Sequence, residues 1–167
     1  PQGNFYYEPL RDPEHIVALA GGSGITPFLS MAQAIADGTE DFDLTILFGS
    51  RTKEQILFKE ELDDLAAKCD KVHVVHILSD EEAEGFEHGF ITGALIEKYA
   101  AGEEVSVFMC GPQAMYNFVD KEIETLGLRK KFIRHELFGE YFNPAKEADY
   151  PENVAPAFRV TVRIAGK

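Results

Sequence analysis

Gly22, Ser23, Gly24, Ile25, Thr26 and Pro27 follow an apolar run, residues 16–20, and lead into a segment with Phe28, Met31, Ala32 and Ile35 at helical spacing. A glycine-rich turn between a buried strand and a helix start can hold an anion. Glycines let the backbone approach, while unpaired N–H groups and the positive end of the helix dipole face the ligand. Pro27 suits the first helical turn, where no donor is missed, and Thr26 is expected to cap the helix and offer a hydroxyl to phosphate. The pattern is G-x-G-x-x-P, not G-x-G-x-x-G, and no Lys-Ser/Thr follows to make a P-loop. Alone, it also serves as a tight turn with no ligand.

Three further stretches carry reactive or polar groups at the ends of apolar runs: Ser50-Arg51, Leu78-Ser79-Asp80 and Cys110-Gly111-Pro112. A helix start after Pro112 could lower the Cys110 pKa, but no general base stands near it in sequence to make it a nucleophile. A buried structural thiol is the plainer reading of Cys110. His73, His76, His88 and His135 do not have metal-ligand spacing, because His73 and His76 face opposite sides of a strand.

The elements that must position these groups alternate. Strands are expected at residues 16–20, 42–48, 72–78, 105–109 and 131–137. Helices are expected after the glycine turn, at 53–68 with Ile56, Leu57, Leu62 and Leu65 inward, at 90–99 with Thr92 capping, and at 113–126, ended by Gly127. This predicts an α/β fold: a five-stranded parallel sheet in the order 3-2-1-4-5, with helices on both faces. A crevice then opens between the first and fourth strands, and all four stretches share the rim at the strands' carboxyl ends. The acidic run 80–87 reads as a solvated loop.

A net charge of −13 argues against nucleic acid or an anionic membrane as partner. No apolar run approaches the ~20 residues of a membrane span, so no membrane insertion is expected. The two cysteines, Cys69 and Cys110, read as reduced thiols of a cytoplasmic protein, too few for a cluster. Residues 143–157 form a Pro/Ala/acidic linker. FRVTVRIAGK, residues 158–167, alternates like the first strand of a further, truncated domain.

GGSGITPF, GSRTKEQILFKEEL and VFMCGPQAMYNFV, in that order and spacing, resemble the pyridine-nucleotide domain of the ferredoxin–NADP reductase family over residues 3–141. The resemblance implies a nucleotide domain at 13–142, preceded at 1–12 by the tail of a flavin-binding domain. It implies that the parent passes hydride from NAD(P)H to FAD and electrons on to an iron–sulfur centre or a redox-protein or small-molecule acceptor. FAD would be bound mainly by the preceding domain, whose flavin motifs are absent from this chain, and a 2Fe-2S cluster by the following ferredoxin-like domain. On matching positions, the turn from Gly22 to Pro27 would line the pyrophosphate and nicotinamide. Ser50 and Arg51 would meet the adenosine ribose, and Gln113 and Met115 would border the adenine or ribose. Cys110 would orient the reacting ring, with Gly111 and Pro112 shaping its loop. Glu136 resembles the acidic residue near the nicotinamide and Phe138 the aromatic near the flavin, although the chain runs on past it. Arg51, with no acidic residue before Glu54, leans toward a 2′-phosphate and NADP(H); adenine stacking with NADH stays open. A non-catalytic electron-transfer or regulatory subunit, like that of dihydroorotate dehydrogenase, is the alternative, less favoured because such subunits carry a cysteine cluster. A methyltransferase-like nucleotide binder is disfavoured by the C-G-P loop.

Overall fold

The computed structural model describes residues 5–137. Phe138, the linker at 143–157 and the alternating segment 158–167 lie outside them. The buried run of His15–Gly21 (β1) pairs in parallel with Asp43–Ser50 (β2) on one side and Val105–Gly111 (β5) on the other. Val72–Leu78 (β3) extends the sheet beyond β2, and Ile133–Leu137 (β6) extends it beyond β5. Near-continuous Val, Ile, Leu and Phe in these strands fit a sheet covered on both faces.

The sheet has six parallel strands rather than five, in the order β4-β3-β2-β1-β5-β6. The extra strand is Glu87–His88 (β4), at the edge beside Ile77 and Leu78. A two-residue strand inside an acidic run is too short to show an alternation. Nor is that run simply solvated: Phe86 packs 5.9 Å from the His76 ring. Glu87 accepts hydrogen bonds from Lys98 and from the Tyr99 hydroxyl, at 2.5 and 2.6 Å. The other five strands keep the expected order, with the first strand between its two crossover halves.

Helices cover both faces. Thr26–Ala36 (α1) and Lys59–Lys68 (α2) bury Phe28, Ala32, Ile35, Leu62 and Leu65 against Ile16, Ala18, Leu44, Ile46 and Phe108. Gly93–Ala100 (α3) and Gln113–Thr125 (α4) bury Ile96, Tyr116, Val119 and Ile123 against Val17, Leu19, Leu47 and Val107. Thr92 caps α3, accepting from the Leu95 N–H at 3.3 Å, and Gly127 takes φ +63° after α4. The helix expected from Lys53 begins instead as a short 3-10 turn, Lys53–Gln55, and α2 starts only at Lys59. Phe58 adopts φ +55°, which interrupts helical propagation, and Leu57 is left exposed.

Candidate functional site

The glycine turn and the Cys110 loop meet in the first layer above the sheet. A Cβ on Gly24 would stand 2.1 Å from the Cys110 carbonyl oxygen, so only glycine allows this approach. Gly22, at φ +54°, faces open space. Thr26 does not cap α1: it is the first helical residue, Ile25 holds the cap position, and the Thr26 hydroxyl donates to the Ser23 carbonyl at 3.0 Å. That bond closes the Gly22–Ile25 3-10 turn, while Pro27 sits in the first turn of α1.

Beside this junction a cavity of about 630 Å³ opens on the α3/α4 side of the strand ends. Gly22, Ser50, Arg51, Pro112 and Met115 line it. Ser23, Gly24, Ile25, Thr26, Pro27, Cys110, Gly111, Gln113 and Glu136 do not: Gly24, Ile25, Cys110 and Gly111 are buried in the adjoining junction, Ser23, Thr26, Pro27 and Glu136 are exposed or half-buried, and Gln113 is on the outer surface of α4. The Met115 sulfur fills the seam between the loops, 2.7 and 2.6 Å from where Cβ atoms on Gly21 and Gly111 would stand. Phe90 and Phe118, which the motifs did not single out, pair at 5.7 Å between centroids and form an exposed aromatic wall. Two phenylalanines so far apart in sequence carry no shared local pattern. The Ser50 hydroxyl is buried without a partner among the described residues, a polar group left for a ligand. A second cavity of about 660 Å³, lined by His15, Thr45, His73 and Glu103 among others, lies at the opposite strand ends and shares no residue with the first.

Charge on the rim is arranged across three strands. Arg51 Nε donates to Asp80 at 2.8 Å, and the Ser79 hydroxyl donates to the other Asp80 oxygen at 2.6 Å. Ser79 first and then Arg51 hold the Asp80 carboxyl below its usual range. Cys110 is fully buried at the β5 end, paired in register with Ala20 and Glu136. Burial, reinforced by the Glu136 carboxylate, pushes its thiol up from 9.0 to about 12. The helix start after Pro112 therefore does not acidify it. The thiol is neutral over the physiological range and cannot act as a thiolate nucleophile.

A family model described as the oxidoreductase NAD-binding domain matches residues 18–121, more than half of the chain. The chain belongs to that family. Relatives agree: NADH-cytochrome b5 reductase 1 of Pyricularia oryzae is 39% identical over 137 residues, covering 78% of this chain and 44% of that protein. One component of the 1,2-phenylacetyl-CoA epoxidase of Escherichia coli K12 is 30% identical over 178 aligned positions, covering 100% of this chain and 49% of that protein. The chain thus spans less than half the length of these two relatives. Among solved structures, the FAD/NAD-binding domain of a nitric oxide dioxygenase from Vibrio cholerae O1 biovar El Tor superposes with a TM-score of 0.69. It is 26% identical, and the match covers 84% of this chain and 56% of that one. Family and fold together make this a ferredoxin–NADP reductase-like NAD-binding domain. Among the described residues, no helix of this NAD-binding domain is long and apolar enough to cross a membrane.

Proposed function

We propose that this chain is the nucleotide-binding part of a flavin-dependent reductase that takes hydride from NAD(P)H. The single observation that carries the reading is the contact of the Gly24 and Cys110 backbones beside a cavity holding an unpartnered serine hydroxyl. The residues fit a dinucleotide. Gly22 exposes backbone in the left-handed region where a pyrophosphate could approach, and the helix α1 dipole points the same way. The Ser50 hydroxyl would bond a ribose, and Phe90 with Phe118 would stack on the adenine. Cys110 and Glu136, paired on adjoining strands at the rim, would mark the nicotinamide end, with the buried Cys110 supporting the ring's seat from beneath. When bound, NAD(P)H would supply a hydride to a flavin held outside this chain. This chain's own work is position: its loops hold one end of the dinucleotide still and exclude water around Cys110.

The coenzyme is read as NADH. Asp80 engages the Arg51 guanidinium, so a 2′-phosphate reaching Arg51 would meet a carboxylate at the same place. Arg51 by itself would favour a 2′-phosphate; the Asp80 carboxylate bound to it opposes one. FAD would be held mainly by a preceding domain, to which residues 1–12 would lead. Residues 143–157 would link to a following domain beginning at 158–167. The likeness to the epoxidase component runs through this segment. The acceptor would be an iron–sulfur centre, such as a 2Fe-2S cluster of that following domain, or a redox protein.

The test is calorimetric titration of the chain with NADH, NADPH and ADP-ribose. Binding of NADH in the micromolar to low millimolar range, with ADP-ribose retaining most of the affinity, is expected. No heat or competition from any of the three at 5 mM ligand, about 3 kcal/mol of binding, would overturn the reading.

A further inference from the structure

Tyr116 lies on α4, 3% exposed, with its hydroxyl at the seam where β5 and β6 end. The phenol donates to the Glu136 carbonyl of β6, and the Met109 carbonyl of β5 is 3.2 Å away. Alternate residues of a strand direct their N–H and C=O groups to opposite sides, so the Met109 carbonyl and the Gly111 N–H leave β5 together, toward β6. The residue between them is Cys110, and its partner in register is Glu136. One hydroxyl thus bridges the peptide carbonyl before Cys110 on β5 and the carbonyl of Glu136 on β6.

Its surroundings keep it in the donating form. Burial first, then Cys110, push the phenol up to about 12, with Glu136 and Asp120 adding to the rise and the Gly111 N–H opposing it. The ring stands edge-on to His135 at 5.4 Å, and His135 pairs with Asp120 of α4 at 3.0 Å, so the ring's tilt is set from both elements. A leucine or phenylalanine would fill the same apolar space against Val119 and Met109. Packing alone does not call for a hydroxyl at this point.

We propose that Tyr116 is a positioning residue for hydride transfer, pinning the Cys110 and Glu136 backbones at one spacing through its hydroxyl. The proposal rests on the reading that these two residues flank the nicotinamide. Because the hydroxyl touches only backbone and the dinucleotide's adenosine end lies in the cavity on the other side of β5, losing it should loosen the reacting end and leave the grip on adenosine intact.

The test uses the full flavin-bearing protein and the Tyr116→Phe variant. Stopped-flow reduction of the flavin by NADH should slow between about tenfold and a hundredfold, the range for a misplaced reacting group, while the Kd for ADP-ribose stays within twofold. Alkylation of Cys110 should quicken several-fold as the rim loosens. Tyr99→Phe, which deletes a hydroxyl bonded to Glu87 and far from the rim, serves as the control and should leave both rates unchanged. If Tyr116→Phe reduces flavin as fast as the parent, the positioning role is overturned, though nucleotide binding stands. If the parent itself binds no nucleotide, the underlying reading fails instead. Should the phenylalanine variant not fold, 3-fluorotyrosine at 116 keeps the shape and acidifies the phenol. Loss of the Tyr116 proton at high pH should cut the hydride-transfer rate, and with 3-fluorotyrosine this fall should come at lower pH; a fall at unchanged pH overturns the proposal.

Discussion

At the scale of single residues, Asp80 and Cys110 change meaning once their neighbours are known. Asp80 sits on the Arg51 guanidinium, and both side chains are well exposed, so their mutual effect is modest and salt-sensitive. Asp80→Asn should improve NADPH affinity relative to NADH by about threefold to fivefold, the size of an exposed charge contact, read from paired titrations. Equal ratios before and after the change would remove Asp80 from coenzyme choice. Cys110 and Tyr116 ionise in the unfolded chain at the ordinary 9.0 and 10.0 but near 12 when folded. Above pH 9 the unfolded state therefore binds fewer protons than the native state, and stability falls as pH rises. It is fully present below pH 9 and lost through about 12. Thermal melts should be flat up to pH 9 and then decline, and Cys110→Ala should move the onset toward the tyrosine's 10.0.

At the scale of elements, the site depends on how closely β1 and β5 end together. Gly24 meets the Cys110 backbone with room for a hydrogen only. Gly24→Ala should destabilise the domain by about 3 kcal/mol, the upper range for overpacking a filled site, and abolish nucleotide binding where the fold survives. Gly22→Ala faces no neighbour and bears only its left-handed backbone, costing about 1 kcal/mol. Urea midpoints of the two variants check the contrast: similar losses would mean the junction is less tight than drawn. The helices contribute differently. The start of α1 and the 3-10 turn before it shape the glycine side of the rim, whereas α4 supplies Phe118, Met115 and Tyr116 from one face and its flank.

For the whole molecule, the chain's first described segment is tied into the sheet by a buried ion pair. Asp12, with no exposed side-chain surface, accepts from Arg134 of β6, from the Ser106 hydroxyl of β5 at 2.9 Å and from the Glu8 N–H at 2.8 Å. Arg134 also donates to the Tyr6 carbonyl and stacks on Phe108. Phe5 packs on Phe28 of α1 and Phe108 of β5, so this segment covers part of the α1 face of the sheet. Asp12→Ala would take the buried Asp12 carboxylate away from the Arg134 guanidinium, a loss of about 3–5 kcal/mol, measured by denaturant unfolding. Adding Arg134→Met should recover a good part of it; no recovery would show that the carboxylate acts through Ser106 and the backbone rather than through the charge pair.

The sequence by itself determined the alternation of strands and helices, the strand order about the first strand, the glycine turn and the Cys110 loop. These follow from periodicity and from backbone chemistry confined to a few neighbouring residues, which a linear chain displays directly. Tertiary structure alone decided that Glu87 and His88 form a sixth strand, that Asp80 answers Arg51, that Phe90 and Phe118 share a wall, and that the Cys110 thiol is neutral. Each of these depends on groups tens of residues apart or on exclusion of water. Burial and through-space electrostatics are properties of the packed chain, and no local pattern of residue types encodes them.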